Sequence, residues 1–272
     1  MRTRKQKISI EFEIEYNEVE WKGNWIPKTV YKYRDWNDLN HRKILQDIAL
    51  WVPDSLDFND PFDCNIPIAY ELLLTNEALG EAFVRKLAGH EGEDEVQKRL
   101  KEAKYKDATF IANYKEEILN SNRKVHGIFS VTPVNNNILM WSHYANSHKG
   151  FCIGFDSLKL FEHLGGGGPV SYPKEFPIIS PVENRDKQYE GQVRTKSVHW
   201  GYEAEYRLTT FQKTNQNIEI PKEAIIEVVF GARMSLEHKN EIKALLAEKL
   251  SHVKCFSVVP EKTKFELTII PE

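Results

Sequence analysis

The spacing of hydrophobic residues changes twice along this chain, and that change constrains the fold more than any single motif does. Ile8, Ile10, Phe12, Ile14 and Tyr16 alternate with Ser9, Glu11, Glu13 and Glu15, which predicts a strand with one buried and one acidic face. Across residues 69–124 the period lengthens. Leu72, Leu73, Phe83, Val84 and Leu87, then Val96 and Leu100, then Phe110, Ile111, Tyr114 and Ile118 are spaced for amphipathic helices. Strand patterns return at 128–131, 150–155, 225–230, 253–259 and 265–270. Strands at both ends and helices in the middle predict an α+β fold rather than a doubly wound sheet. The expected organisation is one domain over 1–272, with 69–124 as a helical insertion.

Shorter elements fill the frame. A strand is expected at 29–34, and Leu39, Ile44, Leu45 and Ile48 mark a helix before a strand at 50–52 that Pro53 closes. Residues 57–63 are dense in turn formers, and Pro61 biases Asp60 away from helical geometry. A short helix is expected at 138–146, a flexible loop at 165–168, and a helix capped by Ser235 that runs to about Leu250.

Composition narrows the setting. The 272 residues are 41% hydrophobic and 28% charged, with mean hydropathy −0.52, which describes a soluble globular protein with a sizeable core. Net charge is −3 and the pI is about 6.3, so the overall balance advertises neither a nucleic-acid nor a membrane binder. No apolar run approaches the roughly 20 residues needed to span a bilayer, and a cytoplasmic location is expected. Cys64, Cys152 and Cys255 are odd in number and far apart, which reads as reduced, mostly buried thiols.

Residues 199–207 concentrate the chemistry: His199, Trp200, Gly201, Tyr202, Glu203, Ala204, Glu205, Tyr206 and Arg207. On a strand, Glu203, Glu205 and Arg207 share one side and Trp200, Tyr202, Ala204 and Tyr206 the other. Two readings follow. Both carboxylates and the guanidinium look into a cleft, or they form the solvated face of an amphipathic strand. Other chemistries lack their signs. His143, His148 and Cys152 straddle a helix-to-strand change, with no His-Glu-x-x-His pattern to hold a metal, and neither a Walker loop nor Gly-x-Ser-x-Gly is present. Trp141 and Tyr144 share a helical face, a spacing typical of core.

Five motifs in order carry a resemblance. They are Tyr31–Arg34; Trp51, Val52 and Pro53 leading to 58–63; Phe129 and Ser130; 140–145 through Gly150 to Asp156; and Lys196, Trp200, Tyr202, Glu203, Glu205 and Arg207. Over about residues 30–231 the chain resembles the bacterial and phage family catalogued as domain of unknown function 2971. More distantly, its layout resembles ADP-ribosyltransferases, in particular the toxins that modify DNA bases. That likeness implies a split β-sheet core and NAD consumed as substrate without a metal. It implies Glu205 as the catalytic carboxylate, Glu203 as its helper, Arg34 as the NAD contact on the first strand and Ser130 in the middle-strand position. It also implies a bacterial or phage toxin or defence component, with a nucleic-acid or protein acceptor and room for a neutralising partner. The chain departs from the pattern in lacking a Ser-Thr-Ser context at Ser130, and in the 70 or so residues before it.

The chemistry fits those assignments. Cleaving the nicotinamide–ribose bond creates an oxocarbenium-like cation that a fixed carboxylate stabilises. Arg34 offers a planar fork of donors for a pyrophosphate. Tyr33, Phe62, Trp141 or Tyr202 can stack on nicotinamide or adenine, and Asn59 and Tyr144 complete the expected NAD-contacting set. Structural readings stand beside these: Arg34 pairing with Glu203 or Glu205, Asn59 and Asp60 shaping a turn, Ser130 as an ordinary hydroxyl. Two further functions remain open at this point. One is a non-catalytic nucleotide or nucleic-acid sensor, the other a metal-dependent nuclease using Asp60, Asp63, Glu203 and Glu205.

Overall fold

The computed structural model describes residues 1–7, 13–56 and 58–272. In chain order the elements begin with β1 (Arg2–Lys7), β2 (Glu13–Trp21), β3 (Asn24–Pro27), β4 (Thr29–Arg34), α1 (Leu39–Gln46) and β5 (Ala49–Val52). Helices α2 (Glu77–Ala88), α3 (Glu93–Glu102) and α4 (Ala108–Val125) follow. Next come β6 (His126–Val131), α5 (Ile138–Tyr144), β7 (Phe151–Asp156), α6 (Ser157–Leu164), β8 (Gly167–Pro169) and α7 (Arg185–Val193). The chain closes with β9 (Tyr206–Phe211), β10 (Gln216–Glu219), β11 (Ile225–Phe230), α8 (Leu236–Lys249), β12 (Lys254–Pro260) and β13 (Leu267–Pro271). The class is mixed α+β. Two compact units emerge: Met1–Asp54, Gly127–Val170 and His199–Glu272 form the first, Ser55–His126 and Ser171–Val198 the second.

In the first unit a five-stranded sheet runs β13-β12-β11-β7-β4, antiparallel except where β11 lies beside β12. The parallel step needs a long crossover, which α8 supplies. A second sheet runs β6-β9-β8, and a bridge between Tyr31 and Thr132 ties β4 to the residue after β6. β7 is buried from Phe151 to Phe155, as a central strand covered on both faces must be. Phe151, Ile153 and Phe155 join one hydrophobic cluster with Val30 and Phe129, while Cys152 joins another with Tyr33 and Trp141. Each such large apolar side chain contributes about 1.5–3 kcal/mol by leaving water.

Of the strand expected at 8–16, residues 8–12 lie outside the described residues, as does Asp57 of the expected loop. Ile14 and Tyr16 are buried while Glu13 and Glu15 are exposed, as alternation predicts, and β2 continues to Trp21. Its partner β1 carries no apolar alternation. Arg2 and Arg4 instead reach the fully buried carboxylate of Glu18, at 2.7 and 3.2 Å. The flexible loop expected at 165–168 is corrected. Gly165 and Gly166 take φ of 89° and 112°, and Gly167 then opens strand β8. A Cβ at Gly167 would stand 2.2 Å from the Arg207 carbonyl oxygen, so glycine here lets β8 approach β9.

The second unit is built around α2, α3, α4 and a helical turn at Tyr70–Leu74. Asn76 and Asp107 cap α2 and α4 by accepting amide hydrogens of their first turns. Tyr70, Phe83 and Tyr114 meet edge to face with centroids 5.2–5.8 Å apart. Gln192 of α7 donates to the Ile66 carbonyl at 3.0 Å and accepts from Asn122 of α4 at 3.0 Å. Among the described residues no helix is long and apolar enough to cross a membrane.

Candidate functional site

The chemistry-rich stretch does not begin as a strand. Residues Val198–Glu203 form a 3-10 turn, Ala204 takes φ of 46°, and β9 starts only at Tyr206. A left-handed residue redirects the chain, so the expected alternation of Trp200, Tyr202, Ala204 and Tyr206 along one strand face is corrected. The solvated-face reading also falls: Glu203, Glu205 and Arg207 are 4%, 6% and 0% exposed. Glu205 accepts two hydrogen bonds from Arg207, from Nε at 2.8 Å and Nη2 at 3.0 Å. This bidentate fork is the strong form of a carboxylate–guanidinium pair.

Glu203 has a different neighbour. The Tyr144 hydroxyl, at the end of α5, donates to its Oε1 at 2.5 Å. Burial, then the carboxylate of Glu203, with Tyr202 and Glu205 adding, push the Tyr144 phenol well above its ordinary value. The phenol therefore stays neutral and remains a donor. Helix α5 is aimed by Asn137, whose Oδ1 accepts from the amides of Leu139 and Met140 at 2.9 and 3.1 Å. Its Nδ2 donates to the Tyr202 carbonyl at 3.0 Å, stitching the α5 segment to the 3-10 turn. His143 Nδ1 lies 2.9 Å from the Tyr202 hydroxyl.

Tyr33, Trp141, Tyr144 and Tyr202 thus gather on one face of the five-stranded sheet. Trp141 meets Tyr33 edge to face at 5.1 Å and donates its Nε1 hydrogen to the Asn135 carbonyl at 2.8 Å. The same cluster includes Tyr31, and Glu227 lies against it. Gly154 makes that possible, since a Cβ there would stand 2.5 Å from Glu227 Cγ and 2.9 Å from Tyr31 Cε1.

Arg34 follows Tyr33 on β4, and the two side chains therefore leave opposite faces. Among the described residues Arg34 makes no ion pair, which corrects the expectation of a bridge to Glu203 or Glu205. Its guanidinium donates a long hydrogen bond, 3.4 Å, to the Tyr33 carbonyl. Burial lowers its guanidinium to about 10, with Asp38 acting in the other direction. His41 sits close by, accepting the Asp35 amide hydrogen on Nδ1 at 3.2 Å. Burial first, then Arg34, with Lys32 adding, brings its imidazole down to about 4. Burial is the common cause. Ser130 is half-buried on β6, and its carbonyl, rather than its hydroxyl, accepts from Lys32 Nζ at 2.6 Å.

Asn59 and Phe62 belong to the second unit, both exposed. The Asp60 carboxylate accepts the Phe62 amide hydrogen at 2.9 Å, the turn expected around Pro61. In that unit Lys196 lies 3.5 Å from Asp63, both side chains buried. Among the described residues no three His, Cys, Asp or Glu side chains gather to hold a metal ion. His148 turns instead to the Ser142 hydroxyl at 3.1 Å, and burial pushes the Cys152 thiol up, away from nucleophilic use. Sequence reasoning passed over Asn137, His41 and Glu227. Only Asn137 had a local sign, an asparagine directly before an apolar helical run.

Residues 140–208 match the family described as a protein of unknown function (DUF2971). The match begins within α5 and ends within β9, so it contains Tyr144 and both carboxylates. No characterised protein and no solved structure matches the chain.

Proposed function

We propose that the first unit is an NAD-consuming enzyme of the ADP-ribosyltransferase type, which transfers ADP-ribose to a macromolecule or hydrolyses NAD, in a toxin or defence setting. The observation that carries the reading is strand adjacency. β4 bearing Arg34 is bridged to the end of β6 bearing Ser130, and β6 pairs with β9, whose lead-in bears Glu203 and Glu205. Support also comes from Arg34, a guanidinium lowered by burial that makes no ion pair among the described residues and leaves β4 on the face opposite Tyr33, where its donor fork suits a pyrophosphate. Tyr144 and Tyr202 supply ring faces beside Glu203.

In this reading Glu203 stabilises the positive charge that develops on the ribose as nicotinamide leaves. The neutral Tyr144 phenol holds that carboxylate in place. Glu205, bound twice by Arg207, braces the lead-in to β9. A sensor that binds NAD without cleaving it is the second reading, favoured by this same bracing, which takes Glu205, one of the two carboxylates, out of the charge available to a cation.

The test is nicotinamide release from NAD by the wild type and by Glu203→Gln, which keeps an acceptor for Tyr144. The variant is expected to melt like the wild type, bind NAD and lose about 10²–10³ of the rate. Turnover equal to wild type would overturn the assignment of Glu203, and binding without any release by the wild type would establish the sensor.

A further inference from the structure

The five-stranded sheet of the first unit ends on β4 at one side and on β13 at the other. The two edges differ. On β4 the Tyr31 amide donates to the Thr132 carbonyl at 2.7 Å, and the Thr132 amide donates back to the Tyr31 carbonyl at 3.0 Å, so that edge is already engaged. Among the described residues β13 pairs with β12 alone. The bonds at its two ends fix the direction of its main-chain groups. Glu261 donates its amide hydrogen to the Glu266 carbonyl at 2.9 Å, and Glu272 donates to the Cys255 carbonyl at 3.1 Å. Bonded residues alternate in an antiparallel ladder, so Glu266, Thr268, Ile270 and Glu272 turn toward β12 while Leu267, Ile269 and Pro271 turn outward. The outward amides of Leu267 and Ile269 meet no acceptor among the described residues. An open edge is ordinarily blunted by a bulge or by charges along the strand. β13 has neither, since its register with β12 runs without a shift and its residues are Leu, Thr, Ile, Ile and Pro.

We infer that β13 pairs antiparallel with β13 of a second copy of this chain, which joins the two five-stranded sheets across a two-fold axis. The residues select the register. With Ile269 on the axis, each Ile269 exchanges both main-chain bonds with its counterpart, and each Leu267 amide donates to the Pro271 carbonyl opposite. Pro271 has no amide hydrogen to offer, and it falls at the end of the ladder. On one face Leu267 then meets Pro271, and on the other Thr268 meets Ile270, which is 43% exposed in the single chain. Charge favours the same register. Glu272 sits between Lys239 and Lys243, 2.6 Å from each, so two ammonium groups share one carboxylate. Glu266, exposed at the other end of the strand, comes opposite this group and balances its surplus positive charge. Centring the pair on Thr268 would instead bring Lys264 against those ammonium groups and Glu266 against Ile270. One strand thus carries both halves of the complement, which favours a second copy over an unrelated extended peptide. The inference concerns assembly at the sheet edge and stands apart from NAD turnover.

The experiment is sedimentation equilibrium of the full chain over a range of concentrations, repeated with Ile269→Pro and Glu266→Lys, with circular dichroism to check that each variant is folded. Ile269→Pro removes an outward amide and breaks no bond to β12, and Glu266→Lys changes an exposed side chain, so it decides the matter should the proline variant not fold. The wild type is expected to dimerise reversibly, and each folded variant to weaken the dimer by about tenfold or more. A wild type that is monomeric at every concentration, or a dimer that the folded variants leave as tight as wild type, overturns the inference. So does a chain that stays monomeric and binds an unrelated extended peptide at this edge.

Discussion

Arg34 on β4 and Arg207 on β9 lie in the same unit, yet among the described residues only Arg207 makes an ion pair. Arg207 is fully buried and clasps Glu205 through two hydrogen bonds. Arg34 makes no ion pair among the described residues, and burial, then the Arg34 charge, lowers the imidazole of His41 beside it. Desolvating a charge costs several kcal/mol unless something repays it. Within the fold, Glu205 does so for Arg207. In the proposed reading that compensation for Arg34 is left to a bound anion, which would make Arg207 a scaffold element and Arg34 a binding element.

The largest expected effect breaks the scaffold half of the contrast. Glu205→Ala leaves Arg207 buried without this carboxylate and should lower unfolding free energy by about 3–5 kcal/mol, read from urea denaturation. A loss below about 1 kcal/mol would show that the pair braces nothing. For this reason the loss of activity in Glu205→Ala cannot separate catalysis from folding, and Glu203→Gln is the cleaner probe. Arg34→Met comes next. It should leave melting unchanged or raised, because no ion pair among the described residues is broken, while NAD affinity falls by about tenfold or more, the worth of hydrogen bonds to a charged group. Lost stability with unchanged affinity would reverse the contrast.

The smallest effect concerns pH. His41 titrates near 6.5 when unfolded and at about 4 when folded. Between those values the unfolded chain binds a proton that the native chain does not, so stability falls as pH drops from about 6.5 to about 4. The melting advantage of wild type over His41→Asn should shrink across that window. Pyrophosphate seated at Arg34 should raise the imidazole value, followed by nuclear magnetic resonance, and an unmoved titration would count against an anion there.

Much of the framework was legible in the chain. The strand expected at 29–34 is β4 to the residue, and Ser235 does cap α8, because period-two patterns and cap residues act locally. The helical character of 69–124 was likewise readable from spacing, and the structure places it in the second unit. Strand β1 was invisible, since its residues are basic and it is held by pairing with β2 and by Glu18. The turn at Val198–Glu203 was mistaken for strand because alternating aromatics mimic a pleat, while the left-handed Ala204 that ends the turn leaves no mark in composition.

The candidate site divides the same way. Sequence alone determined that Glu203, Glu205 and Arg207 are dense in charge and near one another, and that Tyr33, Trp141 and Tyr144 are aromatic candidates. Only tertiary structure decided which charges meet. Glu205 takes Arg207, Glu203 takes Tyr144 from a helix about 60 residues earlier in the chain (|i−j| = 59), and Arg34 makes no ion pair among the described residues. The physical reason is that residue type fixes what a group can donate or accept, whereas burial and the meeting of distant segments fix whether that capacity is already used.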